Sequence, residues 1–276
     1  MRILITNDDG YESRGIEALV RVARQFGEIL VVAPKTVQSG MSMAVTMGYK
    51  PIAARKLYAL PGEEWWYLDG TPSSCVKFGL DNVMYPEKPD LVLSGINHGS
   101  NAATAALYSG TVGAAMEAAL NGIPAIAVSL DSFSPDADFS AIEQLLPGIL
   151  TKLLDNFNPR YGSIYNINFP AIPSASIVGI KVSRMGRAHW EHEYLPYGPE
   201  FLFDRGHTPS RADVEYVENK HPEEELVVMA GDFVNDEDGG SRDADHLLMD
   251  EGYIVITPLN IDHTDTTEME RLCGII

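Results

Sequence analysis

The chain has 276 residues, 45% hydrophobic and 21% charged, which supplies apolar side chains for a sizeable core and excludes a wholly disordered, collagenous or coiled-coil polypeptide. Its 39 acidic and 20 basic residues leave a formal charge of -19, which repels polyanions and argues against nucleic-acid polymers or anionic membranes as the main partner. Small anions stay within reach, because a bound metal or a set of aimed N–H groups reverses the local field.

Arg2 to Thr6 reads as a buried strand. The acidic turn after it leaves too short an apolar run for a signal peptide or a membrane span, and with only two cysteines, Cys75 and Cys273, the composition fits a reducing compartment. The chain is therefore expected to be cytoplasmic. Gly15 to Phe26 predicts a helix with Ile16, Leu19, Val20 and Ala23 on one face, and Glu28 to Ala33 the next strand, closed by Pro34. Met43 to Tyr67 reads as extended arms or hairpins of undefined register, and Pro72 to Val83 as a helix with proline in its first turn. Asp90 to Ser94 is a strand, Thr111 to Asn121 an Ala-rich helix and Pro124 to Leu130 a strand. Such alternation predicts an α/β fold with a doubly wound, mostly parallel sheet. Further on, a helix over Phe139 to Phe157 carries Pro147, which should kink or split it; Tyr165 to Phe169 and Gly252 to Pro258 read as strands. Between them, Arg187 to Asp245 is rich in Pro, Gly, His and acidic residues, including Glu223-Glu224-Glu225 and Asp236-Glu237-Asp238. Such long aperiodic segments serve as lids, subunit arms or exchanged elements when they are more than surface loop.

Open parallel sheets bind ligands beyond the carboxyl ends of their strands, so polar residues directly after apolar runs are the candidates. Asn7-Asp8-Asp9-Gly10 follows the first strand; adjacent carboxylates repel unless a cation or donors offset them, and hard divalent cations take oxygen ligands of this type. The alternative is an ordinary Asn/Asp/Gly turn. Gln38-Ser39-Gly40 follows the second strand and offers a hydroxyl to a metal shell or N–H groups to an anion. Ser94-Gly95-Ile96-Asn97-His98-Gly99-Ser100-Asn101 follows a third, and Tyr108-Ser109-Gly110-Thr111 opens the Ala-rich helix. A helix N-terminus has unpaired N–H groups and partial positive charge, so Ser109, Gly110 and Thr111 form either a phosphate cradle or a simple N-cap. Asn97 and Asn101 offer amides to metal and substrate, and His98 either assists a leaving group or is structural. No GxGxxG or GxxxxGK[ST] follows the first strand, HExxH and GxSxG are absent, and the seven histidines have no zinc-like spacing.

Taken together, Asn-Asp-Asp-Gly at 7–10, Ser39-Gly40, Ser94-Gly95-Ile96-Asn97 with Asn101, and Tyr108 through Glu117 resemble the SurE family of survival proteins, 5'/3'-nucleotidases. The resemblance runs from residue 1 to about 130 and resumes at Gly252 through Leu259, with Asp262 and Thr264 beyond; residues 102–106, Ala-Ala-Thr-Ala-Ala, depart from the Gly and acidic residues usual in the family. It implies a Rossmann-like catalytic core over 1–133 and a C-terminal part over 134–276 that completes the fold, with 187–250 as an extended oligomerisation arm. It also implies one divalent cation per subunit, Mg2+ or Mn2+, on Asp8, Asp9, Ser39 and Asn97, with Asn101, Ser109, Gly110 and Thr111 on the phosphate side. The expected substrates are nucleoside monophosphates, with short polyphosphate a further candidate, and the expected assembly is a homodimer or homotetramer. Water activated by the cation would attack in line, with Asp8 and Asp9 as the catalytic carboxylates. Two alternatives are an aspartyl-nucleophile phosphatase and a non-catalytic, metal-dependent nucleotide sensor.

Overall fold

The apolar runs assemble into one nine-stranded sheet. The computed structural model describes residues 1–48, 51–158, 160–197, 215, 219, 222–239 and 241–276. Two compact units emerge, Met1–Gly186 with Gly240–Ile276, and Arg187–Gly239. In chain order the strands are β1 (Arg2–Thr6), β2 (Glu28–Pro34), β3 (Ala54–Leu60), β4 (Glu63–Leu68), β5 (Leu91–His98), β6 (Ala125–Leu130), β7 (Ser163–Phe169), β8 (Gly179–Val182), β9 (Ala188–Glu191), β10 (Tyr194–Pro196), β11 (Val227–Met229), β12 (Asp232–Asn235) and β13 (Tyr253–Asn260). The large sheet has the order β3-β4-β2-β1-β5-β6-β7-β13-β8. All its pairings are parallel except the β3/β4 hairpin and β7/β13. The fold is Rossmann-like α/β, and β7, β8 and β13 from the C-terminal half lie in the same sheet as the N-terminal strands. The smaller unit consists, among its described residues, of two antiparallel pairs, β10/β11 and β9/β12. Residues 198–214, within the predicted arm, lie outside the described residues.

Helices cover both faces, which is why the central strands are apolar throughout rather than alternating. On one face α1 (Arg14–Ala23) and α5 (Ser140–Asp155) bury Ile16, Leu19, Ile142 and Leu146 against Ile3, Ile5, Leu93 and Val128. On the other, α2 (Pro72–Phe78) and α4 (Gly110–Leu120) pack Cys75, Val76, Val112 and Ala115 on Leu4, Val32, Val92 and Ala127. The remaining helices are α3 (Ala105–Tyr108), α6 (Asp245–Asp250) and α7 (Thr266–Cys273). Burial drives the Cys75 thiol well above the ordinary range for a cysteine, in keeping with a core side chain.

Three differences from the sequence expectation have physical causes. The helix expected over 72–83 is α-helical only to Phe78 and continues as a π-turn over Gly79–Val83. Helix α5 runs through Pro147 without a break: the ring is half-buried, between the exposed Gly148 and the buried Leu146, and the helix loses one hydrogen bond there without ending. Strand β5 extends to His98, four residues beyond the predicted end, because pairing with β6 resumes after a register shift between Gly95 and Asn97.

That extension is held by a close approach. A Cβ at Gly15 would lie 2.1 Å from the Ile96 carbonyl oxygen, so only glycine lets α1 start so near the end of β5. Gly15→Ala is expected to destabilise the protein by about 3 kcal/mol and to lower Tm by roughly 6–12 °C, measured by thermal denaturation.

Candidate active site

Strand β1 has β2 on one side and β5 on the other, so chain order reverses at the carboxyl ends of β1 and β5, the place where open α/β sheets bind ligands. Asp8 and Asp9 leave β1 at this point. Asn7 fixes the turn, its amide donating to the Gly10 carbonyl at 2.9 Å and to Ser13 Oγ at 2.8 Å, which ties the turn to the cap of α1. The loop after β2 joins through the Gln38 N–H, which donates to the Asp8 carbonyl at 2.7 Å. Farther along, Ser42 binds the last turn before α4, its N–H donating to the Tyr108 carbonyl at 2.9 Å and its hydroxyl to that of Leu107 at 2.8 Å.

Asp8 is 3% exposed and takes a 2.6 Å hydrogen bond from the Thr111 hydroxyl. Burial, opposed by that hydroxyl and reinforced by the neighbouring Asp9 charge, raises its carboxyl to about 6. Helix α4 approaches this closely because its first residue is glycine: a Cβ at Gly110 would sit 3.0 Å from Asp8 Cβ and 3.1 Å from Oδ2. Asp9 is oriented by His98, whose backbone N–H donates to Oδ2 at 3.1 Å and whose Nδ1 lies 3.0 Å away. The His98 ring stands edge-on to Phe139, centroids 5.2 Å apart, so its position is fixed by packing as well. Among the described residues no Lys or Arg pairs with either carboxylate.

The predicted residues fall into four groups. Asp8 is brought into direct contact with Gly110 and Thr111, and Asp9 with His98. Asn97, in β5 rather than in a loop, donates Nδ2 to the Gly99 carbonyl at 2.9 Å and so keeps Oδ1 as its available acceptor; Ser39 is exposed, one residue beyond the Gln38 anchor. Ser109 is a true N-cap, its hydroxyl accepting from the Val112 N–H at 3.1 Å. Asn101 is buried, its amide donating to Ser129 Oγ at 2.8 Å, its N–H to Asn168 Oδ1 at 2.8 Å, and its carbonyl accepting from Asn166 Nδ2 at 2.8 Å. The supporting asparagines were not singled out from the sequence. Their signal is the alternation Asn166-Ile167-Asn168 inside an otherwise apolar strand.

The two carboxylates, one deeply buried and without a basic partner among the described residues, suit a hard divalent cation, and the Ser39 hydroxyl and Asn97 amide oxygen lie on segments tied to them through Gln38 and His98. Asn7 Oδ1 is also buried without a hydrogen-bond partner. Among the described residues no three His, Cys, Asp or Glu side chains gather as a metal-binding group, so a cation here rests on two carboxylates and neutral oxygens.

Because the folded value of Asp8 lies above the ordinary 3.8, ionising it costs the metal-free folded state stability as pH rises from about 4 to about 6, and the cost is constant above that window. Asp8→Asn removes the cost. Its stability advantage over the metal-free wild type should therefore grow between about pH 4 and 6 and level off by pH 7, as read by denaturant unfolding at each pH.

A doubly wound α/β protein with paired carboxylates set against a helix N-terminus at its switch point belongs to the Rossmann-like class that handles small anionic ligands. The family model described as "Survival protein SurE" matches residues 3–192. The chain is 38% identical over 267 residues to the "5'-nucleotidase SurE" of Cytophaga hutchinsonii, covering 95% of this chain and 92% of that one, and 40% identical over 277 residues to the protein so named from Pelotomaculum thermopropionicum, covering 99% and 94%. It is similar to the crystal structure of the SurE protein from Aquifex aeolicus, with a TM-score of 0.77 and 30% identity over 100% of this chain and 99% of that one. The chain belongs to the SurE family. The matches span the segment after residue 187 as well, where the sequence motifs give no guide.

Proposed function

We propose that this protein is a 5'-nucleotidase, a phosphomonoesterase that hydrolyses nucleoside monophosphates with one divalent cation, Mg2+ or Mn2+, per subunit. The observation that carries it is the pair Asp8 and Asp9 at the switch point, one carboxylate almost fully buried and held by Thr111 of α4, with no basic side chain to neutralise it among the described residues. The names of the relatives support the same substrate class. Asp8, Asp9, Ser39 and Asn97 are the residues that would hold the cation. When bound, it withdraws charge from a phosphoryl oxygen and makes a coordinated water more acidic.

The chain's own residues do the rest. His98 and Thr111 hold the two carboxylates in fixed orientations, so little reorganisation is needed during reaction. Ser109 takes up the Val112 N–H, which leaves the first N–H groups of α4 and its positive end for an incoming phosphate. Asn101 is held by three strand-borne polar side chains, which fixes the loop beside that helix end. A charge of -19 is then no obstacle, because two carboxylates and a dication are formally neutral at the site itself.

Short polyphosphate is a second candidate substrate. The assembly we propose is a homodimer or homotetramer joined through 187–250, supported by the exposed Tyr194, Val227 and Met229 on β10 and β11. Cytoplasmic location is part of the same proposal; among the described residues no helix is long and apolar enough to cross a membrane. The deciding experiment is a phosphate-release panel over nucleoside 5'- and 3'-monophosphates and short polyphosphate, with single turnover in H2 18O. One solvent oxygen in the phosphate and no labelled enzyme is the expected result; nucleotide binding without release of phosphate leaves the protein a sensor, and a trapped aspartyl phosphate makes it a covalent phosphatase.

A further inference from the structure

We propose that Asp245 is a positioning residue for the phosphate side of this site, acting through the loop between β5 and α4; the inference rests on the phosphomonoesterase reading. Asp245 is 0% exposed. Its Oδ1 accepts three backbone N–H groups at 2.9 Å each, from Ala103, Gly186 and His246. Oδ2 receives the Thr257 hydroxyl at 3.4 Å, and that hydroxyl also lies 2.9 Å from Ser183 Oγ. The His246 contact is local and is what an acidic residue in the first turn of α6 would make anyway. The Ala103 contact reaches across 142 residues of sequence and has no such explanation.

Pairing with β6 ends at Gly99, whose N–H donates to the Leu130 carbonyl at 2.9 Å, and over 101–103 side chains take the backbone N–H groups instead. Asn168 and Asn166 hold the N–H and carbonyl of Asn101, Ser100 Oγ accepts from the Ala102 N–H at 3.2 Å, and Asp245 holds the Ala103 N–H. Ala103 has φ 49°, a left-handed conformation that a residue with a Cβ adopts only when its surroundings impose it. Ala102 packs into a small apolar cluster with Leu248 and Met249 of α6 and with Val255, so the helix carrying Asp245 also forms the floor under the loop. Two residues after Ala103 the chain enters α3, and α3 leads directly to Ser109, Gly110 and Thr111. The Asp245 carboxylate thus fixes the midpoint of the segment joining Asn101 to the helix end that faces phosphate. Asp8 and Asp9 hang from β1 and Asp9 is held by His98, so Asp245 acts first on the phosphate side and reaches the cation side only through the Thr111 hydrogen bond to Asp8.

Gly186 adds a further constraint. A Cβ there would lie 3.0 Å from Asp245 Oδ1 and 2.2 Å from His246 Nδ1, so glycine is required for the carboxylate to take this N–H.

The test uses the full chain loaded with Mn2+. Asp245→Ala is expected to raise both KM for a nucleoside monophosphate and Ki for inorganic phosphate by about thirtyfold, the size expected when buried donors lose a charged acceptor. Asp245→Asn, which keeps an acceptor oxygen in place, should raise both by only about three- to fivefold. Mn2+ affinity by calorimetry without substrate should stay within about threefold of wild type in both variants, because both carboxylates are carried by β1, Asp9 is held by His98, and Asp8 meets the repositioned helix end through one hydroxyl only. Should the alanine variant fail to fold, the asparagine variant decides alone. Wild-type KM and Ki in the asparagine variant would overturn the proposal, as would losses that track the unfolded fraction or a matching loss of Mn2+ affinity. A wild-type protein that releases no phosphate with Mn2+ fails the functional reading itself, a result distinct from any of these.

Discussion

Replacing Asp8 or Asp9 by alanine is expected to lower kcat by roughly a thousandfold or more at saturating substrate, with the fold intact by circular dichroism. In the proposed site each would remove one of the two charged ligands from a set whose other members, Ser39 and Asn97, are neutral. The two variants should differ in a second property. Asp8 is buried and bonded to Thr111, so alanine there also strips the partner from a buried hydroxyl, whereas Asp9 is partly buried and held from His98. Asp8→Ala should therefore change stability as well as turnover, and Asp9→Ala chiefly turnover. A covalent aspartyl mechanism predicts that one of the two carboxylates alone is indispensable for labelling the enzyme with phosphate. Near-normal kcat in either variant with saturating Mn2+ would remove that residue from the catalytic pair.

Stripping the cation with a chelator is the second large effect: phosphate release at pH 7.5 should fall by on the order of a thousandfold and return when excess Mg2+ or Mn2+ is added. The proposed all-oxygen donor set would favour these hard ions, and under that proposal a dication offsets the repulsion between two adjacent carboxylates and a phosphate dianion. The same addition should raise Tm, since an ion that binds only the folded state stabilises it by about 2.7 kcal/mol at a hundred times Kd. Turnover that survives exhaustive chelation would show that the carboxylates act without metal. The dependence on pH follows from Asp8: its proton must leave before a cation is bound, so affinity should decline below about pH 6.

Sequence alone located β1, β2, β6, β7 and β13, the helices at the mouth of the site, and the doubly wound class, because parallel strands covered on both faces write themselves as short apolar runs separated by amphipathic stretches. It also singled out Asp8 and Asp9, since adjacent acids after a buried strand repel unless a cation or donors offset them, with an ordinary turn as the alternative. The tertiary structure decided what each polar residue does. Whether Thr111 faces a phosphate or holds Asp8, whether His98 stands free or grips Asp9, and that Asn97 lies in a strand that resumes after a register shift all depend on packing between elements distant in the chain. Asp245 is the extreme case: alone it reads as one more acidic residue after a loop, and only the fold carries it to the Ala103 N–H. Local patterning fixes which residues are buried, because periodicity is a property of neighbours in sequence, whereas the partner of a buried polar group is set by which distant segment arrives beside it.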